Sequence, residues 1–520
     1  MCGIFAYLGN KVDQKRLLEY FIKISHRGPD NCKFMNIKNN LYLGFHRLMI
    51  NGLDVQSDQP FYIKKCFLVC NGEIYNFTEL KKEFSDYQTN SDCEIIIHLY
   101  KKYGIKRMLN MLDGVFAFIL YDEEKDLIIT SRDPIGIRPL FIGKNNDEFA
   151  FGSEAKCLTF CEHIKQFSPG TWWQSNQPDN FNQYYNNTYI SNFYNNVHNE
   201  NLVCRNIYVL FTSAVKKRLM SDRSVGCLLS GGLDSSIVTA LVANSYPRGK
   251  LRTYSIGMKG SVDLYWAQKV ADFLGTEHYS ICLTEQQFLD AIEKTIYQIE
   301  SYCTTTVRAS VGNYLVSLYI RDNTPDTVIY CGDVSDEIFG SYRGFTNAPN
   351  EKEFHKENVK MLNNIHYFDV LRSDRSISGA GLEARVPFAD KDFIRYVMEL
   401  NPKFKVFNKD VIEKDILRKA FMGLLPDDVM NRRKEAFSDG VSSKERSWFQ
   451  VIREYVDKKV SDEDFELLAS KYDPAPYDKE SLYYRMIYEK YYGNHKLVPY
   501  FWRHPFTTIM DPSARLLDCY

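Results

Sequence analysis

The feature that most constrains the fold is a change in hydrophobic rhythm part-way along the chain. Before the change, short apolar or alternating runs are separated by turn residues, which is the pattern of β-strands. After it, apolar strands alternate with helices, which predicts a parallel sheet with helices on both faces. A polar stretch rich in Asn and Tyr, residues 177–201, lies between the two patterns. We interpret it as a connector that can contain edge strands, and we expect domains at residues 2–190 and 200–520.

The individual elements follow from the same patterns. In the first region we expect strands at 2–9, 41–50, 66–70 and 115–121. In the second we expect helices at 202–217, 236–244 and 264–274, and strands at 225–229, 251–258 and 328–331. The remainder, to residue 520, is predicted to be mostly helical.

Composition excludes several classes of protein. The chain has 520 residues, with 65 Lys and Arg against 66 Asp and Glu, so it lacks the basic excess of a nucleic-acid-binding protein. No apolar run approaches the ~18 residues of a membrane span. The start, Met1 to Phe5, has neither the positive nor the apolar region of a secretory signal. We therefore expect a cytoplasmic protein with no membrane partner, whose 13 cysteines are mostly reduced thiols.

Cys2 stands directly after Met1, where a small side chain permits removal of the methionine. A terminal α-amino group titrates at about 8, close to a free thiol, and can act as the base for its own side chain. Cys2 is therefore a candidate N-terminal nucleophile. Considered alone, its position favours an ordinary buried strand cysteine.

Four polar segments at predicted strand or helix ends strengthen the first reading. They are residues 27–30, 46–50, 69–76 and 91–94. A guanidinium among them can grip an α-carboxylate, and a carboxylate can take an α-ammonium. An amide and a backbone N–H together can form an oxyanion hole. These are the groups that a small zwitterionic ligand requires.

With residues 133–140 added, this set resembles the class II glutamine amidotransferase domain over residues 2–190. The resemblance implies an α+β N-terminal-nucleophile fold with αββα layers. It implies that Cys2 attacks the side-chain amide of glutamine, forming a glutamyl thioester and releasing ammonia. It also implies an oxyanion hole at Asn71 and Gly72, carboxylate binding by Arg47, and ammonium binding by Glu73 and Asp92. Leu48 and Ile50 complete the implied glutamine-binding set.

The second region contains a loop with the properties of a phosphate site. Residues 230–236, Ser-Gly-Gly-Leu-Asp-Ser-Ser, follow a predicted strand and open a helix. Glycines let the backbone approach phosphates, and helix N-terminal N–H groups point at the anion. Asp234 is a candidate Mg²⁺ ligand, and Asp336, in an acidic loop after the strand at 328–331, is placed to share the ion. The loop lacks the Lys of a kinase-type P-loop.

This loop resembles the PP-loop of ATP pyrophosphatases, enzymes that adenylate a substrate and release pyrophosphate. The resemblance implies an α/β domain with a parallel sheet and a helical C-terminal part. The residues that it implies for ATP and pyrophosphate are Leu229, Ser230, Gly231, Gly232, Asp234, Ser235, Ser236, Ile256, Cys331 and Gly332.

A glutaminase followed by a PP-loop domain resembles the glutamine-hydrolysing asparagine synthetases, and residues 304–310, 381–388 and 433–440 match further family segments. The resemblance implies that aspartate and ATP form β-aspartyl-AMP, and that ammonia converts it to asparagine. Thr305 and Arg308 would bind aspartate, and Asp333 and Lys434 would act in catalysis. Glutamine, aspartate and ATP are the implied small-molecule partners, with Mg²⁺ as cofactor, no nucleic acid, and a homodimer as the assembly.

Two alternatives remain open, and two substitutions motivate the second of them. Family members usually carry Glu-Gly where this chain has Asp333-Val334, and a β-branched residue is strained if the position needs a positive φ. One alternative is a related adenylating enzyme, such as a β-lactam synthetase or an amidase of another carboxylate. The other is a glutaminase whose synthetase half no longer catalyses and serves binding or regulation.

Overall fold

The computed structural model describes residues 1–189 and 199–517. The first of these segments forms two six-stranded antiparallel sheets, with strand orders β10-β8-β9-β1-β3-β2 and β12-β11-β7-β6-β5-β4. The strands are β1 (Gly3–Leu8), β2 (Asn31–Lys38), β3 (Leu41–Arg47), β4 (Phe61–Ile63), β5 (Cys66–Ile74), β6 (Gly114–Asp122), β7 (Leu127–Arg132), β8 (Phe141–Asn145), β9 (Glu148–Gly152), β10 (His163–Gln166), β11 (Thr171–Gln174) and β12 (Phe181–Gln183).

The two sheets pack face to face because alternate residues of both are apolar. Ile4, Leu43 and Ile119 belong to the core between them. A helix covers each outer face: α1 (Gln14–Ile22) lies against the first sheet, and α3 (Ile95–Met111) against the second. A short helix, α2 (Phe77–Leu80), precedes α3. The four layers confirm the αββα architecture expected from the sequence.

The second segment is built on a five-stranded parallel sheet with the order β15-β14-β13-β16-β17. Its strands are β13 (Val225–Leu228), β14 (Arg252–Met258), β15 (Glu277–Leu283), β16 (Val328–Tyr330) and β17 (Glu383–Arg385). Its helices are α4 (Glu200–Lys217), α5 (Leu233–Ala243), α6 (Val262–Leu274), α7 (Glu285–Asp290), α8 (Ile292–Ile299), α9 (Thr304–Asn323), α10 (Ser335–Phe339), α11 (Glu351–Asn364), α12 (Asp369–Ser378), α13 (Lys391–Glu399), α14 (Asp415–Ala420), α15 (Asp427–Met430), α16 (Phe437–Gly440), α17 (Trp448–Val456), α18 (Asp462–Leu468) and α19 (Lys479–Tyr492).

The parallel sheet and the mostly helical remainder confirm the expected fold class. β17 is not predicted from the sequence, because two of its three residues are charged and give no apolar signal. β15, an edge strand with an exposed face, is not predicted either. The connector contains the edge strand β12, and the expected boundary at residue 190 lies outside the described residues. Within residues 1–189 and 199–517, none of the helices has the length and apolar character needed to cross a membrane.

The two segments meet at a buried ionic contact centred on Arg27. Its guanidinium donates hydrogen bonds to Glu154 in the first segment (2.7 Å) and to Asp374 (2.9 Å) and Ser378 (2.9 Å) in α12 of the second. Its Nε also donates to the carbonyl oxygen of Cys2, at 3.0 Å. The contact therefore ties the residue that precedes β1 to a helix of the other segment.

Candidate active sites

The first candidate site is a small pocket where β1 begins and β3 ends. Cys2 lines it, and its Sγ lies 3.5 Å from the amide nitrogen and 3.6 Å from the carbonyl oxygen of Leu48. The structure brings the whole set that the sequence analysis assigned to glutamine into this pocket: Cys2, Arg47, Leu48, Ile50, Asn71, Gly72, Glu73 and Asp92.

The protonation of Cys2 depends on Met1. Met1 is fully buried, and its amino group donates a hydrogen bond to the carbonyl oxygen of Leu382 at 3.3 Å. Burial lowers the pKa of this amino group to about 6 and raises the pKa of the Cys2 thiol to about 11. While Met1 is attached, the nitrogen of Cys2 is an amide and cannot accept the thiol proton. The N-terminal base expected from the sequence therefore requires removal of Met1.

Asn71 and Gly72 lie side by side on β5. Asn71 is buried, and neither polar atom of its amide has a hydrogen-bond partner within the described part of the chain. Such an unpaired amide costs about 1–3 kcal/mol, which a ligand oxygen at this point would recover. At Gly72 a Cβ would lie 2.5 Å from the carbonyl oxygen of Val115 on β6, so no side chain fits. Residue 72 must therefore be glycine for β5 and β6 to pack this closely.

Arg47, at the end of β3, is held in one orientation by acceptors within its own domain. Its Nη1 donates to the carbonyl oxygen of Asp54 at 2.8 Å and forms an ion pair with Asp58. Its Nη2 donates to the carbonyl oxygen of Gly52. The guanidinium expected to hold a substrate carboxylate is therefore oriented in advance, and Asp58 already balances its charge.

Two buried carboxyl groups, those of Glu73 and Asp92, also line the cysteine pocket. Burial, and then the neighbouring carboxylate of Glu383, raise the pKa of Glu73 well above its usual range. Burial raises the pKa of Asp92 to about 6, although the N–H of Ile74 donates to its carboxylate at 2.6 Å. Both groups gain from an arriving cation, because an ammonium would offset the cost of burying their charge.

The second candidate site is a larger cleft at the carboxyl ends of β13, β14 and β16, the edge where open parallel sheets bind ligands. The cleft is lined by most of the residues that the sequence analysis assigned to the second site: Leu229, Ser230, Gly232, Asp234, Ser235, Ile256, Thr305, Cys331, Gly332, Asp333, Asp336 and Lys434.

Three of the expected residues do not line this cleft. Gly231 has φ +69°, and a Cβ there would lie 2.4 Å from the backbone of Trp266. Its role is therefore to let the loop pack closely against α6. Ser236 is fully buried inside α5. Arg308 points away from the cleft and is paired elsewhere.

Arg308 lies outside the cleft because its side chain projects from a different part of the surface of α9. Thr305, Ala309 and Asn313 recur every four residues of α9 and line the cleft, whereas Arg308 lies off that stripe. Its guanidinium is buried between two carboxylates, at 2.7–2.8 Å from Glu480 and 2.9–3.0 Å from Asp511. The structure therefore does not bring Arg308 to the cleft where aspartate binding was expected.

The charges in the cleft converge on one carboxylate. Lys414 Nζ lies 2.5 Å from Asp234 and 2.6 Å from Asp336, and Lys434 is also paired with Asp336. Burial by itself would raise the pKa of Asp336, but the two ammonium groups hold it well below its usual range. Asp336 is therefore ionised at neutral pH, and Lys434 remains charged beside it.

The acidic loop that carries Asp333 and Val334 has the positive φ at Val334 that would be strained for a β-branched residue. Val334 has φ +80° and ψ −20°, a left-handed conformation that is unfavourable for a β-branched residue. Next to it, the carboxylate of Asp333 accepts a hydrogen bond from Arg372 at 2.5 Å. Arg372 also donates to Asp369 at 3.0 Å, so α12 holds the Asp333 side chain at the wall of the cleft.

Comparison with known proteins agrees with this division into two sites. A family model described as a glutamine amidotransferase domain matches residues 1–198, and one described as asparagine synthase matches residues 206–352 and 346–516. The chain is 40% identical over 559 residues to the asparagine synthetase [glutamine-hydrolyzing] of Homo sapiens, and 40% identical over 561 residues to that of Gallus gallus. Each comparison covers 100% of this chain and 99% of the relative.

The chain belongs to the asparagine synthetase family. The resemblance drawn from its motifs is therefore confirmed. The enzyme of Mus musculus is also similar, at 39% identity over 557 residues, with the same coverage of both chains.

Three residues at the sites of this asparagine synthetase family member are not predicted from its sequence: Lys414, Arg385 and Glu383. Lys414 lies in a segment with no recognisable motif, so no local signal could have placed it between Asp234 and Asp336. Arg385 lies in the segment 381–388, which resembles the family, but its sequence predicts no function for this residue. Its Nη2 is 3.3 Å from the Glu73 carboxylate of the first segment. Glu383 in the same strand lines the first pocket. The side-chain pairing of Arg385 with Glu73 is a long-range contact that sequence spacing does not encode.

The donor set fits Mg²⁺ in part. Asp234 and Asp336 both reach one ammonium, that of Lys414, so their carboxylates face the same point. One or two carboxylates combined with phosphate oxygens are what Mg²⁺ uses in nucleotide sites. Among the residues that the structure describes, no group of three or more His, Cys, Asp or Glu is arranged to hold a metal ion. The two carboxylates therefore suit an ion that arrives with a nucleotide.

Proposed function

We propose that the chain is a glutamine-dependent asparagine synthetase. Glutamine, aspartate, ATP and water would give glutamate, asparagine, AMP and pyrophosphate. The observation that carries the proposal is that one chain holds both a cysteine pocket and a PP-loop cleft, each lined by nearly all of its expected residues. The names of the relatives support the same reaction.

In the first pocket, Cys2 attacks the side-chain amide carbon of glutamine after Met1 has been removed. The freed α-amino group takes the thiol proton and returns it to the departing ammonia. The Asn71 amide and the Gly72 N–H stabilise the oxyanion, a role that fits the unpaired buried amide of Asn71. Water then hydrolyses the thioester and releases glutamate.

In the second cleft, the loop after β13 holds the phosphates of ATP, and the carboxylate of aspartate attacks the α-phosphorus. A bond forms from the aspartate oxygen to the α-phosphorus, and the bond to pyrophosphate breaks. Lys434 stabilises the charge that develops on the phosphates. Mg²⁺, held by Asp234 and Asp336, would supply further charge neutralisation. Ammonia displaces AMP from β-aspartyl-AMP.

Asp333 is proposed to act where the family usually has Glu, and Thr305 to contact aspartate. Arg308 would influence the cleft only through α9, because its guanidinium is already paired. Domain limits of 2–190 and 200–520, a cytoplasmic location and a homodimer remain proposals. The match of the two family models to residues 1–198 and 206–516 supports the division.

A pyrophosphate-release assay tests the proposal. The full chain is incubated with ATP and Mg²⁺, with glutamine or ammonia, and with or without aspartate. We expect aspartate-dependent pyrophosphate and asparagine in equal amounts. Pyrophosphate released with a different carboxylic acid would favour another adenylating amidase. Glutamine hydrolysis without any pyrophosphate would favour a synthetase half that no longer catalyses.

A further inference from the structure

The acidic loop of the second cleft continues into a very short helix. α10 has five residues and presents Asp336 to the lysines of the cleft. It lies between Val334 (φ +80°) and Gly340 (φ +62°), so a left-handed residue stops the helix at each end. A helix of this length is not stable by itself, because it forms too few hydrogen bonds of its own. The direction of the Asp336 side chain therefore depends on what holds α10.

Two buried side chains bind the carbonyl groups at the far end of α10. Asn358, on α11, donates from its amide nitrogen to the carbonyl oxygen of Glu337. Lys405 donates to the carbonyl oxygen of Ile338 at 3.3 Å and to Oδ1 of Asn358 at 2.7 Å. Neither Asn358 nor Lys405 lines the substrate cleft. They contact α10 from the side that faces the protein interior.

The placement of Lys405 is costly. Its side chain is 2% exposed, and within residues 1–189 and 199–517 it forms no ion pair with a carboxylate. Buried ammonium groups normally have such a partner. Burial alone lowers its pKa to about 7. What it has instead are carbonyl and amide oxygens at a helix C-terminus, where positive charge is favoured.

We propose that Lys405 and Asn358 are positioning residues of the synthetase site. By binding the carbonyl groups of Glu337 and Ile338, they fix α10 and thereby hold the Asp336 carboxylate in the place where it meets Mg²⁺ and the phosphates of ATP. The inference rests on the proposed function for the identity of the ligand. It assigns no contact between Lys405 and any substrate.

The test compares the full-length chain with Lys405→Met, which keeps the length of the side chain and removes the charge. Mg²⁺-dependent binding of ATP is measured by calorimetry, and pyrophosphate release is followed as a function of Mg²⁺ concentration. Lys405 acts on Asp336 through the backbone of α10 and not by a bond to its carboxylate, so we expect the half-saturating Mg²⁺ concentration to rise about 10-fold, the lower end of the effect of direct outer partners of metal ligands. Glutaminase activity should not change, since Cys2 lies in the other domain.

Lys409→Met is the matched control, because Lys409 is an exposed lysine on the same segment. Asn358→Ala is the second variant and should shift the Mg²⁺ dependence in the same direction. An unchanged half-saturating concentration in a folded Lys405→Met or Asn358→Ala chain would overturn the proposal. So would unfolding of both variants, because the pair would then be structural only.

The calorimetric measurement separates this inference from the proposed function. A wild-type chain that binds ATP with Mg²⁺ but releases no pyrophosphate with aspartate would contradict the function alone. The effect of Lys405→Met on ATP binding would still decide whether Lys405 positions the site.

Discussion

At the scale of single residues, the acidic loop combines opposing effects at Val334. A non-glycine residue in the left-handed region costs about 1–2 kcal/mol. The Val334 side chain is nevertheless buried, and burying a valine contributes about 1.5 kcal/mol or more. The two terms nearly cancel, which explains how a β-branched residue can occupy this position without disrupting the loop.

This balance predicts an unusual order of stabilities. Val334→Ala keeps the Cβ, and with it the backbone strain, but loses packing. Val334→Gly loses the same packing and relieves the strain. We expect the glycine variant to be more stable than the alanine variant by about 1 kcal/mol, the reverse of ordinary helix and strand positions. Urea unfolding of the two variants measures the difference, and greater stability of Val334→Ala would contradict it.

Asp92 predicts the pH dependence of the glutaminase. Its folded-state pKa of about 6 lies above the usual value of an aspartic acid, so the carboxyl is increasingly protonated as the pH falls through 6. A protonated Asp92 cannot attract the α-ammonium of glutamine. We expect kcat/KM for glutamine to fall as the pH is lowered from 7 to 5, and this titration to be absent in Asp92→Asn, whose kcat/KM should already be low. The measurement is glutaminase kinetics across that range; an unaltered pH profile in the variant would assign the titration to another group.

The raised pKa of Asp92 affects the stability of the fold in the direction opposite to its effect on activity. Between the unfolded pKa of about 3.9 and the folded pKa of about 6, the native state binds more protons at Asp92. The contribution of Asp92 to the free energy of unfolding is therefore largest at low pH and declines as the pH rises through 6. Activity and stability should thus respond to Asp92 in opposite directions.

At the scale of elements, α12 connects the two sites. Near its start, Asp369 and Arg372 contact each other, and Arg372 holds Asp333 at the synthetase cleft. Towards its end, Asp374 and Ser378 accept hydrogen bonds from Arg27. Arg27 also donates to Glu154 of the first segment and, through its Nε, to the carbonyl oxygen of Cys2. One helix therefore contributes to the geometry of both sites.

Asp374→Ala tests this connection. Removing one member of a buried ion pair costs about 3–5 kcal/mol, so the variant should be clearly less stable. It should also hydrolyse glutamine more slowly at temperatures where it is fully folded, because Arg27 loses the Asp374 carboxylate, one of the acceptors that orient it. Thermal unfolding and glutaminase kcat are the measurements, with Asp147→Ala, an exposed acid in a β-hairpin, as control. Normal kcat in a folded variant would show that Glu154 and Ser378 suffice to orient Arg27.

At the scale of the whole molecule, the two candidate sites are lined mainly by different segments. The cysteine pocket belongs to the αββα layers, with Glu383 as the contribution of the second segment. The PP-loop cleft is lined by residues 228–514 alone. Chemistry at the second site therefore needs ammonia, but it does not need the thiol that produces ammonia.

Cys2→Ala separates the two activities. The substitution removes the nucleophile with little change in volume, so the fold should persist. We expect glutamine-dependent asparagine formation to be lost while ammonia-dependent formation continues. Both are measured as pyrophosphate release in the presence of aspartate. Loss of the ammonia-dependent reaction in a folded Cys2→Ala chain would contradict the two-site scheme.

The sequence by itself determined the features that depend on short stretches of chain. Cys2, the Asn71-Gly72 pair and the loop from Ser230 to Ser236 are recognisable because a strand end or a phosphate loop requires particular residues in a fixed local order. The strand-rich first region and the parallel sheet of the second followed from hydrophobic periodicity, which is also local, whereas the αββα layers were implied by the resemblance to class II glutamine amidotransferases. The possible strain at Val334 could be anticipated from one residue type at one motif position.

Only the tertiary structure decided which charges meet. Lys414 lies between Asp234 and Asp336, Arg308 is paired outside the cleft with two distant carboxylates, and Lys405 supports α10 from within the core. These pairs join residues that are far apart in sequence, and no local pattern specifies them. The physical reason is that a buried charge must find its partners in three dimensions, so its position depends on how the whole chain packs.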